Sequence, residues 1–62
     1  MLKYKNKKTG GIYHILATGI DTTNERDGLV VVVYCPDDNE NTIYVRESVE
    51  FDDKFILMDV KQ

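Results

Sequence analysis

Residues 29–35 read LVVVVYC, and this run constrains the fold more than any other part of the chain. Four consecutive β-branched side chains are stiff at χ1 and fit a pleated strand better than a helix. A strand with one face to a core and one to water alternates apolar with polar residues, whereas this one is apolar on both faces. In a curved sheet Leu29, Val31, Val33 and Cys35 share one face, and Val30, Val32 and Tyr34 share the other. Only one set can fill an interior. The second is either covered by an end of the chain or left as an apolar stripe, flanked by Tyr13 or Ile15, that a partner or second subunit would contact.

The rest of the chain has the same character. No stretch of helical length repeats apolar residues at i, i+3, i+4 and i+7 without turn residues breaking it, while short Val-, Ile- and Tyr-rich runs recur between Gly, Asn and Asp clusters. The expected strands are 2–6, 12–20, 29–35, 42–46 and 55–60. KKTGG at 7–11 is a turn with glycines supplying positive φ. Gly19 marks a bulge or bend, DTTNERDG at 21–28 is a polar loop, and Pro36 stops the third strand. Residues 47–51 suit one turn of 3₁₀ helix that tucks Val49 or Phe51 under the sheet. Asp52 and Asp53 then form a turn before the last strand. The sum is a single all-β domain spanning 1–62, a small five-stranded SH3-like barrel with one short 3₁₀ turn before the last strand; an OB-like barrel is the alternative.

A chain of 62 residues buries only about 60% of the surface its unfolded form exposes, so a staple is expected. Cys35 is the only cysteine and forms no internal disulfide, which leaves a second subunit as an option. One thiol, no signal-type leader and no long apolar run predict a cytoplasmic protein without a membrane span. Net charge is −3, yet residues 1–20 hold Lys3, Lys5, Lys7 and Lys8 without an acid, which leaves −7 for the remainder. Those lysines, interleaved with Tyr4, are a weak nucleic-acid signal. Lys3 and Lys5 read more simply as the solvent side of a first strand, and nucleic acid is not the expected partner.

Few groups could carry out chemistry. There is one histidine, one cysteine and Ser48 as the only serine, and no nucleophile elbow, P-loop or dinucleotide fingerprint occurs. His14 reads as a core or edge histidine bonded to backbone. A thiol nucleophile paired with it lacks a third group to orient the imidazole. Zinc spacing is absent. Asp37-Asp38-Asn39-Glu40-Asn41 opens like a calcium loop but has Thr42 and Ser48 where glycine and glutamate are needed, so it reads as a solvated loop of Asx turns. No enzyme, metal or cofactor is therefore expected. Arg46 reads either as a surface ion pair with Glu47 or Glu50, or as an anion contact beside Tyr34 and Tyr44.

Tyr4-Lys5-Asn6-Lys7, Gly11-Ile12-Tyr13-His14-Ile15, Val32-Val33-Tyr34, Tyr44-Val45-Arg46 and Phe51 together resemble a family of small SH3-like domains of bacteria and their phages. The resemblance covers most of the chain. The family often has histidine at Asn6, tryptophan at Tyr44 and proline at Glu47. It implies the fold and a bacterial or phage origin, and no particular activity. The expectation is a non-enzymatic binding module, a phage or prophage accessory protein that contacts a host protein or a second copy through Tyr13, Val30, Val32, Tyr34, Tyr44 and Arg46. A small nucleotide-like anion held by Arg46, or weak nucleic-acid binding through the lysines, are the alternatives.

Overall fold

The computed structural model describes residues 2–58. The elements are β1 (Lys3–Asn6), β2 (Ile12–Asp21), β3 (Leu29–Pro36), β4 (Tyr44–Glu47), a helix α1 (Ser48–Lys54) and β5 (Phe55–Met58). All strand pairs are antiparallel within one sheet of order β4-β3-β2-β1-β5. Among the described residues β4 and β5 do not pair, so the sheet is open and each forms an edge. The expected last strand, 55–60, is described to Met58, and its residues 59 and 60 lie outside the described residues.

The turn between β1 and β2 follows from its residues. Asn6 Oδ1 accepts the Lys8 and Thr9 N–H groups at 2.9 and 3.1 Å, an Asx motif. Gly10 supplies the positive φ, at 79°. The bulge in β2 falls at Leu16, where the register steps between Ile15 and Ala17, and not at Gly19, which pairs regularly with Val31. This corrects the simple alternation. One extra residue inverts the parity beyond it, so Tyr13 and Ile15 share a face with Thr18 and Ile20, whereas His14 shares one with Ala17 and Gly19.

The segment after β4 also departs from expectation. It is an α-helix, and Asp52 and Asp53 continue it instead of turning. Phe51 and Phe55, four residues apart, must both face the sheet, and α-helical spacing achieves this where a 3₁₀ turn would not. Their rings stack with centroids 4.2 Å apart and planes 6° apart. Glu50 in the first turn and Lys54 in the last suit the helix dipole. Seven residues are too few for a helix to stand alone, so packing through Phe51, 2% exposed, holds it in place, while Val49 is 82% exposed.

The helix covers one face of the sheet, called inner below. Val32, Tyr34, Phe51 and Phe55 form its core, with Tyr4, Tyr13 and Ile15 packed around them. The valine run therefore turns Val32 and Tyr34 inward, which overturns their expected role as surface contacts. Past Ala17 and before Val31, β2 and β3 pair only with each other and form a two-stranded ribbon.

Candidate functional site

All six aromatic residues of the chain meet on the inner face. Tyr34 is central, with ring centroids 5.6 Å from Tyr13, 5.6 Å from Tyr44, 5.1 Å from Phe51 and 5.3 Å from Phe55. Tyr4 meets Phe51 edge-on at 5.3 Å. Such pairs add about 0.5–1.5 kcal/mol each beyond area burial. Arg46 closes the cluster. Its Nε donates to the Tyr34 hydroxyl at 3.1 Å, its Nη1 pairs with Glu50 one helical turn on, and its guanidinium lies 5.8 Å from the Phe55 ring centroid. Arg46 thus ties α1 to the sheet, and its ion-pair partner is Glu50, not Glu47. The hydrogen bond it donates to Tyr34 is the first reason its pKa is raised above the ordinary arginine value.

The six expected contact residues separate accordingly. Val32 and Tyr34 are buried at 5% and 4% exposure, Tyr13 is half-buried and Arg46 is engaged as described. Tyr44 and Val30 remain exposed, Tyr44 at the β4 edge and Val30 opposite Ile20 on the two-stranded ribbon.

A polar cluster occupies one end of the outer face. His14 is buried, and its Nδ1 lies 2.7 Å from Asp37 Oδ1. Its Nε2 lies 3.3 Å from Cys35 Sγ and 3.4 Å from Glu40 Oε2. Lys3 pairs with the other Asp37 oxygen. With the proton on Nδ1, the imidazole donates to Asp37 and accepts from the thiol, which fixes the ring. The third group that the Cys35–His14 pair lacked in sequence is therefore present, and His14 bonds side chains instead of backbone. Asp37 was hidden because it reads as a solvated loop residue. Its N–H donates to the Ile12 carbonyl at 3.0 Å, which places it one step past Cys35 and Pro36, in reach of His14. The rest of that loop behaves as read, with Asn39 Oδ1 accepting the Asn41 N–H.

This cluster has the order of a nucleophile, base and orienting carboxylate, but not the access. Cys35 is fully buried, and burial, reinforced by the Glu40 and Asp37 charges, pushes its thiol above the ordinary value. A reactive cysteine needs exposure and a lowered pKa. The arrangement acts as a clamp, buried at His14 and Cys35 and open to solvent at Lys3 and Glu40, that joins β1, β2, β3 and the β3–β4 loop.

Asp37 makes the clamp sensitive to acid. The Lys3 hydrogen bond first, then that from His14, hold its carboxyl below the ordinary 3.8. A depressed folded-state pKa contributes stability that is fully present above the unfolded value and is lost as pH falls through the folded one. Melting temperature should therefore fall as pH drops below the ordinary carboxylate range, and Asp37→Asn should lower it at neutral pH while flattening that acid slope. An unchanged slope in the variant would show that other carboxylates carry it.

The other end of the outer face is apolar. Val45, 63% exposed, lies opposite Val33, which lies opposite Ala17; the next row is Glu47, Val31 and Gly19. The β3–β4 loop covers the Cys35 end through Asp37 and Glu40, and α1 covers the inner face. Among the described residues nothing covers Val45, whose strand has one side unpaired. A cleft of about 550 Å3 lies between the β1–β2 turn and the β3–β4 loop, lined by Gly11, Ile12, Tyr13, Pro36, Asp37 and Asp38. Among the described residues no three His, Cys, Asp or Glu side chains are arranged so that they could hold a metal ion, and no helix is long and apolar enough to cross a membrane. Compared with family models, curated proteins and solved structures, the chain matches none.

Proposed function

We propose that this chain is a non-enzymatic, SH3-like binding module whose contact surface is the β4 edge and the apolar outer face beside it. The observation that carries the reading is Val45, exposed on an edge strand with one side unpaired and continuous with Val33, Val31 and Ala17. Natural edge strands are usually protected by lysine, proline or a bulge. β4 has none of these; its one cation, Arg46, is turned to the inner face and held by Tyr34, and Glu47 at its end is the one charge it places beside Val45 on the outer face. A partner would add a strand to β4 through main-chain hydrogen bonds, with its own apolar side chains against the valines.

The SH3-like reading is supported by the meander from β1 to β4 and by the helix that links β4 to β5. The buried thiol favours binding over catalysis. The resemblance to bacterial and phage domains makes a phage or prophage accessory protein the natural setting, and a host protein the partner. Relative to the residues expected from sequence, Tyr44 stays in the contact set, and Val31, Val33 and Val45 replace Val32 and Tyr34.

Val45→Glu tests this. The position is exposed, so the variant should keep the wild-type fold within about 0.5 kcal/mol while its association with the partner falls at least about tenfold. The partner is recovered on tagged wild-type protein, purified and titrated by calorimetry against both forms. A folded variant that binds as tightly as wild type would sink the proposal. A wild-type homodimer converted to monomer by Val45→Glu would instead assign the face to self-association.

A further inference from the structure

We propose that the cleft between the β1–β2 turn and the end of α1 is an anion site for a phosphate-bearing ligand of nucleotide size. The open cleft has a volume of about 340 Å3 and is lined by Asn6, Lys7, Lys8, Thr9, Arg46, Asp53 and Lys54. This volume lies in the range of small-ligand sites, about 300–1,000 Å3. The site touches β4 only through Arg46, whose side chain is on the inner face, and lies apart from the valine face; nothing in the proposed binding surface depends on it.

Charge is the main argument. Lys7, Lys8 and Lys54 come from segments more than 45 residues apart in sequence, and none of them makes an ion pair among the described residues. Counting Arg46 as neutralised by Glu50, three lysines face the single carboxylate of Asp53. The whole chain carries −3, so this concentration of positive charge opposes the overall balance. Lys54 alone would be accounted for by the helix C-terminus it flanks; Lys7 and Lys8 have no such explanation.

The walls are also held in place. The Lys7 N–H donates to the Lys54 carbonyl at 3.0 Å, and the Gly10 N–H to the Asn6 carbonyl at 2.8 Å. Together with the two bonds to Asn6 Oδ1, these lock the turn against the helix end, so the three ammonium groups start from a fixed frame. A monovalent carboxylate would satisfy only one of them. A di- or triphosphate spreads several charges over several acceptor oxygens, which suits three point-charge donors and the Thr9 hydroxyl.

The test is a titration of the 15N-labelled chain with ATP, and separately with tripolyphosphate, in low-salt buffer, followed by amide shifts. Saturable shifts confined to residues 7–9 and 53–54 are expected, with affinity reduced at least about tenfold in Lys8→Glu/Lys54→Glu. Both lysines are exposed, so the double variant should melt close to wild type. Equal affinity for the two probes would identify phosphate alone as the determinant, and tighter ATP binding would add the nucleoside; either outcome supports the site. It is overturned by an absence of saturable shifts at these residues, by undiminished binding in the double variant, or by shifts that extend to Lys3 and Lys5. The last pattern, with tighter and steeply salt-dependent binding of a single-stranded oligonucleotide, would indicate a nucleic-acid surface instead.

Discussion

Phe51→Ala is expected to lower the melting temperature by about 15–30 °C, or to leave the chain unfolded at room temperature. Truncating a buried phenylalanine costs about 3–5 kcal/mol, and each kcal/mol shifts a domain of this size by about 4–8 °C. Phe51 is 2% exposed and touches Tyr4, Tyr34 and Phe55. It is also the only buried residue of α1, so its loss frees the helix, and with it the Arg46–Glu50 pair. Total stability of domains spans about 5–15 kcal/mol, and a chain this short belongs near the lower end. Thermal and urea unfolding followed by circular dichroism would measure the effect. A drop of under about 1 kcal/mol would mean that α1 is not held as described.

Charge placed at Val32 should be nearly as damaging, and the sign should matter. Val32 is 5% exposed and lies opposite Arg46 on the inner face. Val32→Lys places a second cation beside that guanidinium in an apolar setting, and should cost about 4 kcal/mol or more. Val32→Glu should cost less, because its carboxylate faces Arg46; yet that pairing competes with Glu50 and removes packing, so the variant stays well below wild type. Denaturation midpoints should rank Val, Glu, Lys from most to least stable. Wild-type stability in both variants would contradict the inward assignment of Val32. The same burial means that charge at Val32 reports on folding, whereas charge at Val45 reports on association.

The sequence was clear where side-chain chemistry acts locally. Beta-branched runs marked β2 and β3 to within a residue or so, the paired glycines of KKTGG marked the turn, and Pro36 marked the end of β3. It was misleading where an outcome depends on one inserted residue. The bulge at Leu16 has no distinctive signature, since leucine fits a regular strand equally well, whereas Gly19 has one and pairs normally. The site was less legible still. Asp37 looks like any solvated loop acid until its backbone is seen pinned to Ile12, and no local pattern links Lys7 and Lys8 to Lys54.

Strand identity was therefore determined by the sequence alone, because propensity, turn chemistry and proline act over a few residues. Which face of the valine run is inside was decided only by tertiary structure. Both sets are apolar, so the hydrophobic pattern has no preference between them, and the choice falls to the elements that must be covered. Phe51 and Phe55 need a surface to pack against, Tyr34 offers it, and Val32 follows by alternation. Cys35 is then turned to the other side beneath His14, and Val45 is left at an open edge.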